Sequence, residues 1–187
     1  MRKEKDGLGE RLLPDEAYYG IQTLRAMENF AISDNTFAHY PNIVRAMAEI
    51  KKACALTNKE IGALPADIAD AIATACDEML AGRYPDQFPV NVFRGCGTSI
   101  NMNVNEVIAH LAGEHGVVLH PNDHVNRSQS SNDTFPSALH IAAVLAVVQD
   151  VLPAAHRLGP CKVPFCLWPG TRKTAVGTRC GGTASAY

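Results

Sequence analysis

Two stretches of the chain place small hydroxyl and amide side chains where a helix is expected to begin. The first is Gly95-Cys96-Gly97-Thr98-Ser99-Ile100-Asn101-Met102-Asn103 and the second is Ser128-Gln129-Ser130-Ser131-Asn132-Asp133. A helix start presents unpaired N–H groups and a partial positive charge. Added hydroxyls turn such an end into a neutral cradle for an anion. Two cradles facing one another would suit a small dicarboxylate. The same residue types also cap helices for purely structural reasons, and either motif alone reads first as a cap. The glycine run lacks the Gly-Lys-Ser/Thr of a phosphate-binding loop and the GxGxxG of a dinucleotide site.

Other candidates for chemistry are weaker. His110, His115, His120 and His124 lie close in sequence, but His110 and His115 are five apart and do not share a helical face. Surface or structural histidine is the leading reading, with a metal site as the alternative. His120, Asn122 and Asp123 could form a polar turn with a binding role. Arg25 could meet a carboxylate, although a salt bridge within the chain is the simpler expectation. Cys54, Cys76 and Cys96 are far apart, and Cys161, Cys166 and Cys180 show no CxxC spacing. Neither a zinc site nor a disulfide framework follows.

These residues need elements to carry them. Residues 1–22 mix charge, Gly and Pro, which predicts a short extended arm or hairpin. Pro41 opens a helical stretch in which Ile43, Met47, Ile50, Cys54, Thr57 and Ile61 fall three or four apart, and Gly62 ends it. A second helix starts near Pro65 with Ile68, Ile72, Cys76 and Met79 on one face and stops at Gly82. Residues 83–97 are broken by Pro and Gly and read as a loop. A third helix begins at Thr98 or Ser99, with Ile100, Val104, Ile108 and Leu111 on its apolar face, and ends by Gly113 or Gly116. On it Asn101, Asn103 and Asn105 alternate and cannot share a face. A turn at His120–His124 and a polar segment lead into an apolar helix from about Asp133 to Leu152, which Pro153 ends or kinks. The fold class is mostly α, and Ile141, Val144, Val148 and Leu152 require partner helices.

Length and composition narrow the classes further. A chain of 187 residues corresponds to about one domain, with 47% hydrophobic and 19% charged residues, which excludes a disordered chain. The nearly apolar run Ala138–Val148 is interrupted by His140 and reads as too short to cross a bilayer. The charged N-terminus has no apolar segment behind it, so no signal peptide is expected, and a cytoplasmic protein is. The net charge of −2 is unevenly shared. Residues 1–156 hold all 19 acidic residues, whereas residues 157–187 hold five basic ones and none acidic. A basic arm for nucleic acid is one explanation, but five scattered charges make a weak patch.

Taken in order, several of these motifs resemble the aspartase/fumarase superfamily over about residues 4–156. They are the segment from Tyr18-Tyr19-Gly20 to Glu28-Asn29-Phe30, Asp86-Gln87-Phe88-Pro89, Gly97 to Glu106, His120-Pro121-Asn122-Asp123-His124-Val125-Asn126, and Gln129 to Pro136. The resemblance implies the N-terminal domain of a three-domain lyase (residues 1–132) and the first part of a central bundle helix (133–156). It implies a homotetramer acting on a small dicarboxylate; no cofactor and no metal are expected. It also implies that Thr98, Ser130 and Ser131 hold the carboxylate beside the carbon that loses its proton, and that Asn132 orients the leaving group. Donors fixed in advance would stabilise the aci-carboxylate dianion as in an oxyanion hole. His120, Asn122 and Asp123 would form a second carboxylate site. Tyr18 to Phe30 is similar to aspartate ammonia-lyases, which convert aspartate to fumarate and ammonia. The Ser130-Ser131 pair and the short connection from Glu106 to His120 are similar to class II fumarases.

Two departures stand out. The glycine loop is one residue shorter than the family's, with Cys96 where Ala or Ser is usual. After about His156-Arg157 the resemblance stops, and the segments that would supply the catalytic Ser base are absent from residues 157–187. A shifted reading frame or truncated gene is the leading explanation, with a genuine divergent tail or basic nucleic-acid arm as the alternative; for the chain as a whole, a non-catalytic binding or interaction module is the alternative function. No catalytic base is therefore expected within this chain, which is expected to be inactive alone.

Overall fold

The computed structural model describes residues 1–92 and 97–158. Residues 93–96, which include Gly95 and Cys96 of the shortened glycine loop, and the basic segment from residue 159 lie outside the described residues. The chain divides into two compact units, Met1–Val144 and Leu145–Tyr187.

The first unit opens on a hairpin of β1 (Arg2–Asp6) and β2 (Gly9–Leu13), antiparallel with Arg2 opposite Leu13 and Asp6 opposite Gly9. The Asp6 side chain accepts the Leu8 N–H at 2.9 Å and closes the tight turn. Five helices follow: α1 (Ile21–Asn29), α2 (Pro41–Glu60), α3 (Ala66–Leu80), α4 (Thr98–Glu114) and α5 (Ser131–Ala146). The expected hairpin and the helices from Pro41, Pro65 and Thr98 are present. Helix α1 was not anticipated, because its buried residues Ile21, Thr23 and Ala26 do not form an apolar stripe.

Helix α4 is the centre of this unit. Ile100, Val104, Val107, Ile108 and Leu111 are buried, and so are Asn101, Asn103, Asn105 and Glu106. A helix covered on all sides has no solvent face to reserve for polar residues. The three asparagines do point different ways, and each way leads into the protein. Helices α2 and α3, joined by five residues, pack together, and α3 and α1 pack on α4.

Glu106 ties α1 to this centre. Its carboxylate accepts the backbone N–H groups of Gly20, Gln22 and Thr23 at 2.9, 2.9 and 3.0 Å and the Thr23 hydroxyl at 2.6 Å. Glu4 on β1 accepts the Ile21 N–H at 2.8 Å. The orphan donors of the α1 N-terminus are thus met by carboxylates from two other elements. Burial pushes the Glu106 carboxyl up, against the pull of these donors. A side chain at Gly20 would place its Cβ 2.8 Å from the Glu106 carboxylate, so only glycine admits the approach.

Helix α5 begins at Ser131, two residues earlier than the apolar pattern suggested, and helical structure continues past Pro153. The π-type turn Val147–Val151 precedes α6 (Leu152–Leu158). Pro153 has no N–H to give and its ring crowds the carbonyl four residues back. A π-turn just upstream absorbs both defects, so the helical run is not ended. Ser131–Leu158 spans 28 residues with mean hydropathy 1.8 in its most apolar window, enough by length and composition to cross a membrane. This corrects the shorter estimate from Ala138–Val148, which stopped at residues the helix in fact includes. Core helices of larger proteins share this character. On α5, Ala138 and Ala142 are buried, whereas Leu139, Ile141 and Val144 are exposed.

Glu106→Gln should destabilise the fold by about 1–3 kcal/mol, because a carboxamide keeps one acceptor oxygen and must turn its NH2 donors toward at least one of the backbone N–H groups that the other oxygen accepted. Urea unfolding followed by circular dichroism measures this, and an unchanged midpoint would contradict the anchoring role.

Candidate active site

The two hydroxyl-rich helix starts meet. The Thr98 hydroxyl on α4 and the Ser131 hydroxyl on α5 lie 3.5 Å apart, although 33 residues separate them. Gly97, at φ +74°, lets the chain turn into α4, and a Cβ there would already touch the Ser131 carbonyl and the Phe135 ring at 3.8 Å. The first bond within α4 runs from the Asn101 N–H to the Gly97 carbonyl at 2.9 Å. The N–H groups of Thr98, Ser99 and Ile100 therefore precede the helical ladder.

On α5 the capping geometry is seen directly. Ser130 Oγ accepts the Asn132 N–H at 3.3 Å, and its carbonyl accepts the Thr134 hydroxyl at 2.7 Å. Thr98, Ser130 and Asn132 are exposed and Ser131 is half-buried. The structure thus places two hydroxyls in contact and two more polar side chains beside one of them, on a face open to solvent. An arrangement of neutral donors at two helix starts can hold an anion without a fixed cation.

A buried polar network holds the α5 start in place. Asn126 Oδ1 accepts from Lys51 Nζ at 2.9 Å, Asn101 Nδ2 at 2.9 Å and Asn105 Nδ2 at 3.3 Å. Lys51 also donates to Gln129 Oε1 at 2.8 Å. Asn126 and Gln129 in turn grip the backbone of their own segment, through Asn126 Nδ2 to the Gln129 carbonyl at 3.2 Å and Gln129 Nε2 to the Val125 carbonyl at 3.0 Å. Asn58 on α2 donates to the Arg127 carbonyl at 3.0 Å. Lys51 is wholly buried, and burial pulls its amine down to about 7. Sequence reasoning missed Lys51, Asn126 and Gln129. The available signal was Lys51 itself, which stands four residues after Met47 and three before Cys54 on the apolar stripe of α2.

The other candidates are placed elsewhere. Pro121–Val125 forms a π-type turn in which His120 Nδ1 accepts the Asp123 N–H at 3.1 Å, and the His120 N–H donates to His124 Nδ1 at 3.0 Å. His120 and Asn122 line a cavity of about 440 Å³ that also meets Lys5, Tyr18 and His110, whereas Asp123 is not among its lining residues. Arg25 does meet a carboxylate, that of Asp6, through two bonds of 2.6 and 2.7 Å. This pairing holds the Asp6 carboxyl below its usual range. The His110 ring packs against Tyr18, tilted by 59° with ring centres 4.7 Å apart, while His115 Nε2 lies 2.6 Å from Glu78. Among the described residues, no three His, Cys, Asp or Glu side chains converge as metal ligands.

The sequence profile of a family described as lyase matches residues 9–160. This chain belongs to the aspartase/fumarase superfamily. It is 50% identical over 164 residues to the class II fumarate hydratase of Halobacterium salinarum, covering 84% of this chain and 34% of that protein. It is 48% identical over 161 residues to the aspartate ammonia-lyase of Escherichia coli K12, covering 81% and 34%. Among solved structures, the fumarate lyase:delta crystallin of Brucella melitensis in native form matches with a TM-score of 0.81 at 49% identity, over 84% of this chain and 37% of that one. The class II fumarase of Schistosoma mansoni matches with a TM-score of 0.78 at 39% identity, over 84% and 34%. The chain spans about a third of the length of these relatives. The expected superfamily and its mostly helical fold are therefore established, while the two activities stand at nearly equal identity.

The buried lysine makes stability depend on pH. Its folded pKa lies near 7 and its unfolded value near 10.5, so between these the unfolded chain binds more protons and Lys51 makes stability rise with pH. Thermal melts from pH 7 to 10 should show this rise, and Lys51→Met should flatten it. An equal slope in both proteins would contradict the burial of an amine without a carboxylate partner.

Proposed function

We propose that the paired starts of α4 and α5 are one subunit's share of a lyase site for a small dicarboxylate. The observation that carries this reading is the 3.5 Å approach of the Thr98 and Ser131 hydroxyls at two helix N-termini. In this reading Thr98, Ser130 and Ser131 hold the carboxylate beside the carbon that is deprotonated, and Asn132 orients the leaving group. As negative charge builds on that carboxylate, donors already in position stabilise it without reorganising.

The specific reaction we favour is L-aspartate to fumarate and ammonia. The basis is the segment from Tyr18 to Phe30, which includes the Thr23 and Arg25 that fasten α1 to Glu106 and Asp6. The second reading, hydration of fumarate to malate, is favoured by the Ser130-Ser131 pair and by the fumarate hydratase of Halobacterium salinarum at 50% identity. In either reading the base comes from a segment that this chain does not match, and the site is completed in a cytoplasmic homotetramer. The exposed Leu139, Ile141 and Val144 on α5 would be covered there. His120, Asn122 and Asp123 are assigned to a second carboxylate site, with His120 and Asn122 at the cavity wall.

Binding can be tested on the chain itself. Fumarate should shift the amide resonances of Thr98, Ser130 and Ser131, and Thr98→Ala should weaken binding about tenfold or more, as expected for a lost hydrogen bond to a charged group. No turnover of aspartate or malate is expected from the 187-residue chain, as read by fumarate absorbance. Fumarate shifts confined to other residues, or turnover by the chain alone, would contradict the reading.

A further inference from the structure

Lys51 has no part in the chemistry proposed above, and its surroundings require an explanation. It is the one charged side chain of α2 that is wholly buried, and lysine is almost never buried unless paired. Its hydrogen-bond partners are two neutral amide oxygens, Asn126 Oδ1 and Gln129 Oε1, at 2.9 and 2.8 Å. The ionisable groups that face it are thiols, Cys54 on its own helix and Cys76 on α3, and Asp133 of α5 acts on Cys54. Helix α4 presents only the neutral Asn101 and Asn105 to the shared oxygen of Asn126. Burial pushes the Cys76 thiol up to about 12 and raises that of Cys54, so neither supplies a thiolate near neutrality.

The two bonds of Lys51 fall on both ends of one short segment. Asn126 and Gln129 bracket Arg127 and Ser128, the latter held at φ +59°, a strained value for a residue other than glycine. Ser130, which immediately precedes α5, follows. A rigid cross-brace at this point fixes where the Ser130, Ser131 and Asn132 side chains stand relative to Thr98 on α4. The brace also depends on the proton count of the amine. The ammonium has three donors for two acceptors. The neutral amine has two, enough for both oxygens, but its bonds lose the charge assistance that makes those of an ammonium roughly twice as strong.

We propose that Lys51 is a positioning residue: its ammonium braces Asn126 against Gln129 and so sets the placement of Ser130, Ser131 and Asn132. Loss of its proton loosens the brace and shifts that segment. This rests on the reading of Ser130–Asn132 as a carboxylate-holding segment, but the coupling itself does not require a ligand.

The test is a pH titration of the full 187-residue chain by NMR, following the Lys51 Cε resonance and the amides of Ser130, Ser131 and Asn132. The expected result is one shared midpoint near 7. Lys51→Met, close in shape but without charge, should remove the amide titration. Gln129→Glu supplies a carboxylate to the amine and should raise the shared midpoint by a unit or more, which decides the matter even where Lys51→Met fails to fold. Amide shifts that titrate unchanged in Lys51→Met, or that ignore the Gln129→Glu change, would overturn the proposal. Fumarate added at pH 6 separates the two readings: absence of binding with the shared titration intact overturns the carboxylate assignment and leaves the brace standing.

Discussion

A single oxygen, Asn126 Oδ1, takes hydrogen bonds from three buried donors on two helices, Lys51 of α2 and Asn101 and Asn105 of α4. Asn126 lies in the turn that delivers the chain to α5. Without that hub, the start of α5 would be the end of an exposed loop, free to sample many positions. With it, the loop is fastened to the most buried helix of the unit, and the Ser131 hydroxyl comes to rest beside Thr98. Buried polar groups are costly unless satisfied, so the network favours one geometry over its neighbours. Functional groups need that definition when their task is to meet developing charge without rearranging.

Helix α4 serves both ends of this arrangement. Its N-terminus supplies Thr98, its middle supplies Asn101 and Asn105 to the hub, and Glu106 one face away holds the N-terminus of α1. One element therefore carries an anion-receiving helix start and an anion that fills another helix start. The physics is the same in the two places. In α1 the partner is an internal carboxylate and the result is a fastened helix. At α4 and α5 the position is open to solvent, and a ligand carboxylate is the natural counterpart.

The regular elements were legible because their signals are local. Apolar spacing and glycine stops define α2 and α3, and α4 starts at Thr98, the first of the two residues the sequence offers for it. Helix α1 was not legible, since its support comes from Glu106 and Glu4, which lie far away in sequence and in one case on a strand. At Pro153 the sequence leaves open whether the helix ends or kinks, and the structure shows helix continuing through it behind a π-type turn. For the site, the residue types and the helix-start context of Thr98, Ser130, Ser131 and Asn132 could be read directly, but their meeting is tertiary and could not. Lys51 on an apolar stripe was the one local sign of the brace, and its partners at Asn126 and Gln129 are polar residues in a polar stretch, with nothing to mark them.

The claim that matters most is that α4 and α5 form one anion site and not two separate caps. A double-mutant cycle between Thr98→Ala and Ser131→Ala, read by fumarate affinity in calorimetry, tests it directly. A shared site predicts that the second substitution costs less once the first is made, with a coupling of about 1 kcal/mol or more. Two losses that simply add, or no loss in either variant, would contradict it.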